Sequence, residues 1–464
     1  MSFIMASHAA KWSGGRLCGP DIRLCRSWKN DSRETAPGDA FVALKGENTD
    51  GHLYVHKAIE RGAKLLLVDS SFVGELALES HDYSGITVIA VPDTAEALSL
   101  IAKEYLKQVA PKVVGITGSV GKTTTRELTV SLLKGHKKVH SAIRSFNTVL
   151  GCSLTILAMP EETDILVLEF GTNHFGEISE MVSLFPPETA IITEVAPAHL
   201  EGFQSVEGVL RAKMEICGSK KLETIFYNAD NKPLAEELSY KFNNINKIGV
   251  GKAAEADMRI MDQKLSLKDE GAFLETSYKL SGKVIELGTN VFGLQHSYNV
   301  GYAFLAAKHY GIADDAIEDA LLHFVPIAGR GICKKLPGNI WVIDEAYNAN
   351  PSSMKAALEN ALDIAEGSSL SAYGILGGMR ELGSSSSFWH RQILEMAPAF
   401  SRLVLLGEEW FDPEIVLPKN AQRYLMFEEI TPFAQDLAGS DSIILVKGSN
   451  SYGLKRFVAL LTEG

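Results

Sequence analysis

The sequence predicts an α/β protein of three domains. A central parallel-sheet domain carries a phosphate-binding loop, and a doubly wound, Rossmann-like domain closes the chain. Three observations lead there. Val113 to Arg126 read VVGITGSVGKTTTR, which is a buried strand, a glycine turn and a helix start. Apolar strand-like runs alternate with stretches of helical period beyond it, the pattern of a parallel sheet covered by helices. A length of 464 residues exceeds what one ordinary core supports.

The phosphate loop organises the rest. Val113-Val114-Gly115-Ile116-Thr117 form the strand, Gly118-Ser119-Val120-Gly121 the turn, and Lys122-Thr123-Thr124-Thr125 open a helix to about Lys134. Glycines let backbone N–H groups converge on an anion, and the helix start adds its positive end. Lys122 would reach the outer phosphates, and the Thr123 hydroxyl a magnesium ion. The strict pattern G-x-x-x-x-G-K-[ST] is broken because Ile116 stands at the first glycine, which leaves the shorter T-G-S-x-G-K-T.

Composition narrows the class. A net charge of −12 argues against non-specific binding to nucleic acid or an anionic membrane. No apolar run approaches a membrane span, and MSFIMASHAAKWSGGR lacks the apolar core of a signal peptide. Cys18, Cys25, Cys152, Cys217 and Cys333 are scattered without a C-x-x-C pair. Each is expected to be a small buried apolar residue in a reducing cytoplasm.

Residues 1–110 form the first expected domain. Asp39 to Leu44, Lys64 to Asp69 and Ile86 to Val91 are its strands. Asp93-Thr94-Ala95-Glu96 resembles a capping box, opening a helix with Leu98, Ile101, Ala102, Tyr105 and Leu106 at helical spacing until Pro111 breaks it. In the central domain, 111–327, Ile165 to Phe170 and Ala190 to Val195 are buried strands. Alternation from Met258 to Phe292, punctuated by Gly271 and Gly282, predicts antiparallel hairpins, and a helix runs from His296 to about Tyr310. In the third domain, 328–464, the strands are Ile340 to Asp344, Ala372 to Leu376, Leu403 to Leu406 and Ile443 to Val446, with a helix from Ser353 to Ala365. Ser384 to Ser387 read as a mobile loop tip.

Ligands in such sheets bind at the carboxyl ends of strands, where Glu169 and the loop both fall. Glu169 is a candidate magnesium ligand, or equally a cap or ion-pair partner. His199 follows another strand end, where a lone histidine is more often structural. Lys213 is by default a solvated helix lysine, and Arg330, after Gly329, could clamp phosphate or face solvent. Asp344 could hold a ribose hydroxyl or cap a helix. Two nucleotide-binding classes fit poorly. A GTPase needs N-K-x-D, and Asn231-Lys232-Pro233-Leu234 lacks the acid. A motor ATPase would be expected to carry a standard loop.

Taken together, these segments resemble the Mur ligase family over essentially the whole chain. The resemblance rests on Asp31-Ser32-Arg33 with Pro37 to Gly46, the phosphate loop, Phe146-Asn147-Thr148 and Glu169 to His174. It continues through Ala198-His199-Leu200-Glu201-Gly202-Phe203, Ala212 to Ile216, His296 with Asn299, Tyr347-Asn348-Ala349-Asn350-Pro351, and Lys447-Gly448-Ser449. The A-H-L-E-G-F and Y-N-A-N-P runs point to members that add D-alanyl-D-alanine.

The resemblance implies the three-domain Mur ligase architecture and ATP-dependent amide-bond formation in cytoplasmic peptidoglycan precursor synthesis. The implied substrates are UDP-N-acetylmuramoyl-tripeptide and D-alanyl-D-alanine, with no nucleic-acid partner, no membrane insertion and a monomeric chain. Ser32, Arg33 and Lys45, with Phe146, Asn147 and Thr148, match positions that hold the UDP-peptide. Thr117, Gly118, Ser119, Val120, Gly121, Lys122 and Thr123 match those around the ATP phosphates, and Asn299, Arg330, Asp344 and Tyr347 others around the nucleotide. Thr123, Glu169, His199 and a carbamylated Lys213 match the magnesium site. Three positions depart from the family pattern: Thr148 replaces an asparagine, Asn450 an arginine and Cys217 a phenylalanine. Other amide ligases, adding a diamino acid or extending folate with glutamate, and a non-catalytic nucleotide-binding relative remain the alternatives.

Overall fold

Three sheets succeed one another along the chain. The computed structural model describes residues 4–25, 27–46, 49–74, 85–142, 145–436 and 441–463. The first sheet holds β1 (Arg16–Cys18), β2 (Trp28–Lys29), β3 (Ala40–Val42), β4 (Leu65–Asp69) and β5 (Thr87–Val91), in the order β1-β5-β4-β3-β2. Its pairs are parallel except β1 with β5. Every residue of β3 and β5 is buried, as continuous apolar runs covered on both faces require.

The second sheet is larger. It contains β6 (Lys112–Thr117), β7 (Val139–Ser141), β8 (Ile165–Glu169), β9 (Thr189–Ile192), β10 (Thr224–Asn228), β11 (Asn246–Gly251), β12 (Met258–Lys268), β13 (Gly271–Leu280) and β14 (Lys283–Thr289). Their order is β14-β13-β12-β11-β10-β9-β6-β8-β7, parallel up to β12 and antiparallel through the two hairpins. Successive β6 side chains point to opposite faces. Val114 and Ile116 join Leu128, Leu132 and Phe304 on one side, and Val113 joins Leu166, Ile192 and Val209 on the other.

That second core is continuous with the first unit. Helix Thr94–Val109 contributes Leu98, Ile101, Ala102 and Tyr105 to it, and the Tyr105 hydroxyl donates to the Met159 carbonyl at 2.6 Å. The helix ends in the left-handed Ala110, with φ 50°, and β6 begins two residues later. The first unit is therefore docked rather than tethered. Asp93 caps the helix through the Ala95 and Glu96 amides, without the return bond from the Glu96 side chain that a full box would add.

The third sheet contains β15 (Ile332–Leu336), β16 (Ile340–Glu345), β17 (Ser371–Gly377), β18 (Arg402–Leu406), β19 (Ala421–Tyr424) and β20 (Ser442–Lys447), ordered β15-β16-β20-β17-β18-β19. Only β15 runs antiparallel to its neighbour. Separate apolar clusters cover its two faces, as a doubly wound unit requires.

Three expectations need correction. β9 stops at Ile192 rather than Val195, because the Ser119 hydroxyl bridges to the Ala196 carbonyl at 2.8 Å and holds the segment after the strand against the phosphate loop. Ser384 to Ser387 are no loop tip: they lie in the turn Gly383–Ser385 and the start of helix Ser386–Leu394. Buried His390 fixes them, with Nδ1 donating to the Ser386 carbonyl at 2.8 Å and Nε2 accepting from the Met379 amide at 3.0 Å. Cys18 and Cys25 are only half-buried, unlike Cys152, Cys217 and Cys333.

Candidate active site

The phosphate loop links the end of β6 to helix Lys122–Lys134. Gly118 at φ 144° and Gly121 at φ 86° take backbone conformations that L side chains avoid. A Cβ on Gly118 would stand 2.0 Å from the Thr193 hydroxyl, and one on Gly121 2.7 Å from Asn299 Oδ1. No side chain caps the helix, so its first N–H groups remain open to an anion. Lys122 folds back over the loop, its Nζ donating to the Gly118 carbonyl at 2.6 Å. Burial, reinforced by Arg330, pulls this amine down to about 8, against the pull of Glu169. Thr117 lies beneath, fully buried, its hydroxyl donating to the Phe170 carbonyl at 2.7 Å.

Glu169 ends β8 beside β6 and is buried. The Thr123 hydroxyl donates to its Oε2 at 3.0 Å across 46 residues of sequence. Oε1 lies 2.9 Å from Arg126 Nη1 but accepts no aligned hydrogen bond. His199, left-handed at φ 51°, lines the same cleft, and burial lowers its pKa against the opposing pull of Glu381. Lys213 is buried with its Nζ 5.9 Å from the Phe203 ring. Desolvation first, then Lys122, holds its pKa well below the ordinary lysine value.

The third unit closes the cleft, a cavity of about 1120 Å³. Arg330 lies over the Tyr347 ring at 4.1 Å, and its buried Nε has no hydrogen-bond partner. Asn299 accepts from the Thr125 hydroxyl at 3.2 Å and sits 2.8 Å from His296 Nδ1. Buried Lys447 pairs with Glu345 at 3.0 Å. Asp344 lies behind this surface, its two oxygens accepting the Gly329 and Ala346 amides at 2.7 and 3.1 Å.

Profiles of the Mur ligase family match in chain order: the catalytic domain over residues 28–106, the middle domain over 116–307 and the glutamate ligase domain over 330–450. Over 97% of its length the chain is 32% identical to the UDP-N-acetylmuramoyl-tripeptide--D-alanyl-D-alanine ligase of Escherichia coli (strain K12), covering 96% of that protein. It belongs to the Mur ligase family. The Bacillus subtilis (strain 168) protein of the same name is 32% identical over 82% of this chain and 79% of its own. The crystal structure of the MurF ligase from Thermotoga maritima in complex with ADP superposes with a TM-score of 0.80 at 25% identity, covering 95% of this chain and 98% of that one.

Not every matched position of this Mur ligase gathers at the cleft. Asn147 lines it, whereas Ser32, Arg33 and Lys45 belong to the first sheet's loops and lie outside it. Ser32 is buried, Arg33 pairs with Asp31 at 2.7 Å, and Lys45 with Asp69 at 3.3 Å. Phe146 packs its backbone against Gly151, where a Cβ would approach Phe146 Cα to 2.8 Å. Thr148 caps helix Val149–Leu157, its hydroxyl accepting from the Gly151 amide at 3.2 Å. Asn450 does line the cleft.

The cleft also holds residues that motif reading passed over. Glu194 accepts from the side chains of Asn228 and Asn231, and burial raises its pKa. Asp230 accepts from the Tyr298 hydroxyl at 2.5 Å. Asn228 ends β10 and Glu194 follows β9, so the strand-end rule that singled out Glu169 applies to both. Arg126 carried no signal, because one arginine beyond a phosphate loop reads as a surface residue.

Proposed function

We propose that this Mur ligase joins D-alanyl-D-alanine to UDP-N-acetylmuramoyl-tripeptide with ATP, in the cytoplasm and as a monomer. The observation that carries the reading is one cleft lined from two units, by Lys122, Glu169 and His199 on one side and Arg330 and Tyr347 on the other. In this reading residues 1–110 hold the UDP part through Ser32, Arg33 and Lys45. Residues 111–327 hold ATP, and residues 328–464 bring the dipeptide.

A carboxylate resists amine attack because its oxygen is a poor leaving group. ATP supplies the phosphoryl group that converts the tripeptide's terminal carboxylate to an acyl phosphate. The dipeptide amine then attacks the acyl carbon, the C–N bond forms, and the C–O bond to phosphate breaks. The protein's share is positioning and charge neutralisation. Backbone N–H groups from Gly118 to Thr123 cradle phosphate, and Lys122 leaves the Gly118 carbonyl to meet the outer phosphates. Arg330, stacked on Tyr347, faces the charge that develops on transfer. Asn299 braces Gly121, and Asp344 braces the Gly329–Ala346 segment that presents Arg330 and Tyr347. Asn147 meets the peptide end, with Phe146 and Thr148 supporting its loop.

The donor set suits magnesium. Among the described residues no group of three or more His, Cys, Asp or Glu side chains could cage a metal. Magnesium, however, favours one or two carboxylates with substrate phosphates and water. Thr123, Glu169, whose Oε2 already meets the Thr123 hydroxyl, and His199 are such a set, and magnesium there would neutralise phosphate charge. Lys213 joins it as a carbamate. Its desolvated amine is neutral far below the usual lysine range, so it could attack carbon dioxide: the N–C bond forms, one C=O electron pair moves to oxygen, and the nitrogen releases a proton to solvent, leaving an anionic carbamate as the oxygen donor.

The test is phosphate release from ATP in the presence of UDP-N-acetylmuramoyl-tripeptide, with D-alanyl-D-alanine, D-alanine or meso-diaminopimelate supplied separately. Release that requires D-alanyl-D-alanine is expected. Release with another acceptor would move the substrate assignment, and none with any acceptor would support the non-catalytic reading.

A further inference from the structure

His199 and Glu381 meet where the central and third units face each other, Glu381 Oε2 in hydrogen-bond contact with His199 Nδ1. Both backbones are left-handed although neither residue is glycine, at φ 51° and φ 63°. Such conformations persist where surroundings enforce them, and they gather at ligand clamps. The two loops are pressed together: a Cβ on Gly383 would stand 3.2 Å from Glu201 Cγ. The Phe203 ring stands edge-on to the imidazole at 6.5 Å and 88°.

A carboxylate accepts hydrogen bonds and donates none, so the shared proton belongs to Nδ1. In the neutral ring Nε2 then carries a bare lone pair, and among the described residues no protein group is bonded to it. A carboxylate holding one imidazole nitrogen so that the other can ligate is a recurrent outer-shell arrangement at metal sites. Here the carboxylate comes from a different structural unit than the imidazole.

We propose that Glu381 is a positioning residue that completes the metal site from the third unit. Its carboxylate fixes His199 as the Nδ1–H tautomer, with Nε2 free for the metal, only when the third unit is docked. Metal affinity in the central unit is thereby coupled to domain closure. The proposal rests on the reading of His199 as a metal ligand.

The test uses the full chain with ¹⁵N-labelled histidine, Mn²⁺ as the probe ion and ADP present. Glu381→Gly removes the carboxylate and accommodates φ 63°, so its melting temperature should not fall. Glu381→Gln keeps an acceptor oxygen. Mn²⁺ affinity, read by electron paramagnetic resonance, should fall about 10–100-fold in Glu381→Gly, the usual loss for an outer-shell partner, and far less in Glu381→Gln. Long-range ¹H–¹⁵N spectra should show His199 losing its Nδ1–H preference in the glycine variant alone. Wild-type Mn²⁺ affinity in Glu381→Gly, or an unchanged tautomer, would overturn the proposal while leaving the metal site intact. Absence of Mn²⁺ binding to the wild-type ADP complex would remove the reading of His199 and the proposal together.

Discussion

Arg126 and Glu169 form an ion pair sealed from solvent, with Nη1 2.9 Å from Oε1 and both side chains essentially unexposed. Arg126 lies one helical turn beyond Lys122 and also holds Glu127 through Nε at 3.1 Å. Removing one partner of a buried pair strands the other charge. Arg126→Met should therefore cost about 3–5 kcal/mol of apoprotein stability, measured by denaturant unfolding. Arg126→Lys should lose less, because it keeps the charge and gives up only the fork that reaches both acids.

Lys122 makes nucleotide affinity pH-dependent. Its folded pKa of about 8 lies below the ordinary lysine value, because burial disfavours the cation. Phosphate binding uses the protonated form, so affinity for a non-hydrolysable ATP analogue should be flat below about 8. Above that it should fall roughly tenfold per pH unit, the slope for one proton taken up on binding. Lys122→Met should bind about 10–100-fold more weakly, from the worth of a hydrogen bond to a charged group, and its affinity should not vary with pH in this window. Isothermal titration across pH 6.5 to 9.5 reads both.

Burial of the Lys213 amine costs the fold stability. The folded chain gives up this proton far below the value at which the unfolded chain does, so wild-type stability rises with pH toward the ordinary lysine range. Lys213→Met fills similar space without the desolvated amine. Thermal unfolding in metal-free, carbon-dioxide-depleted buffer should show it more stable by about 0.5–2 kcal/mol, with the gap widest at neutral pH and narrowing toward the alkaline end. Ligase activity should be lost. An unchanged melting temperature would mean that the amine is solvated.

The legible parts were those set by local backbone physics. The phosphate loop, its helix Lys122–Lys134 and the strand-end position of Glu169 follow from glycine placement and apolar runs. The hairpins β12 to β14 follow from alternation. Contacts between distant segments were not legible. Nothing near Arg126 announces Glu169, and nothing near His199 announces Glu381, 182 residues away. The serine run misled because composition favours a loop, whereas buried His390 anchors it to a helix through Ser386. Thr123 and Glu169 from the second sheet's side and Arg330 from the segment before β15 share one cleft only because the two units pack together.

Thr148 separates a structural role from a substrate contact. Where the family pattern has an asparagine, the Thr148 hydroxyl accepts the Gly151 amide at 3.2 Å and caps helix Val149–Leu157. Thr148→Ala should cost about 1 kcal/mol, the usual worth of an N-cap, and leave KM for the UDP-peptide where it was. Asparagine caps at least as well as threonine, so Thr148→Asn should match wild-type stability. Its longer amide could also extend past the cap toward Asn147, which lines the cleft, and lower that KM. Thermal unfolding and steady-state kinetics on the two variants read the two effects independently. A Thr148→Ala protein with wild-type melting temperature and a raised KM would assign the hydroxyl to the substrate instead.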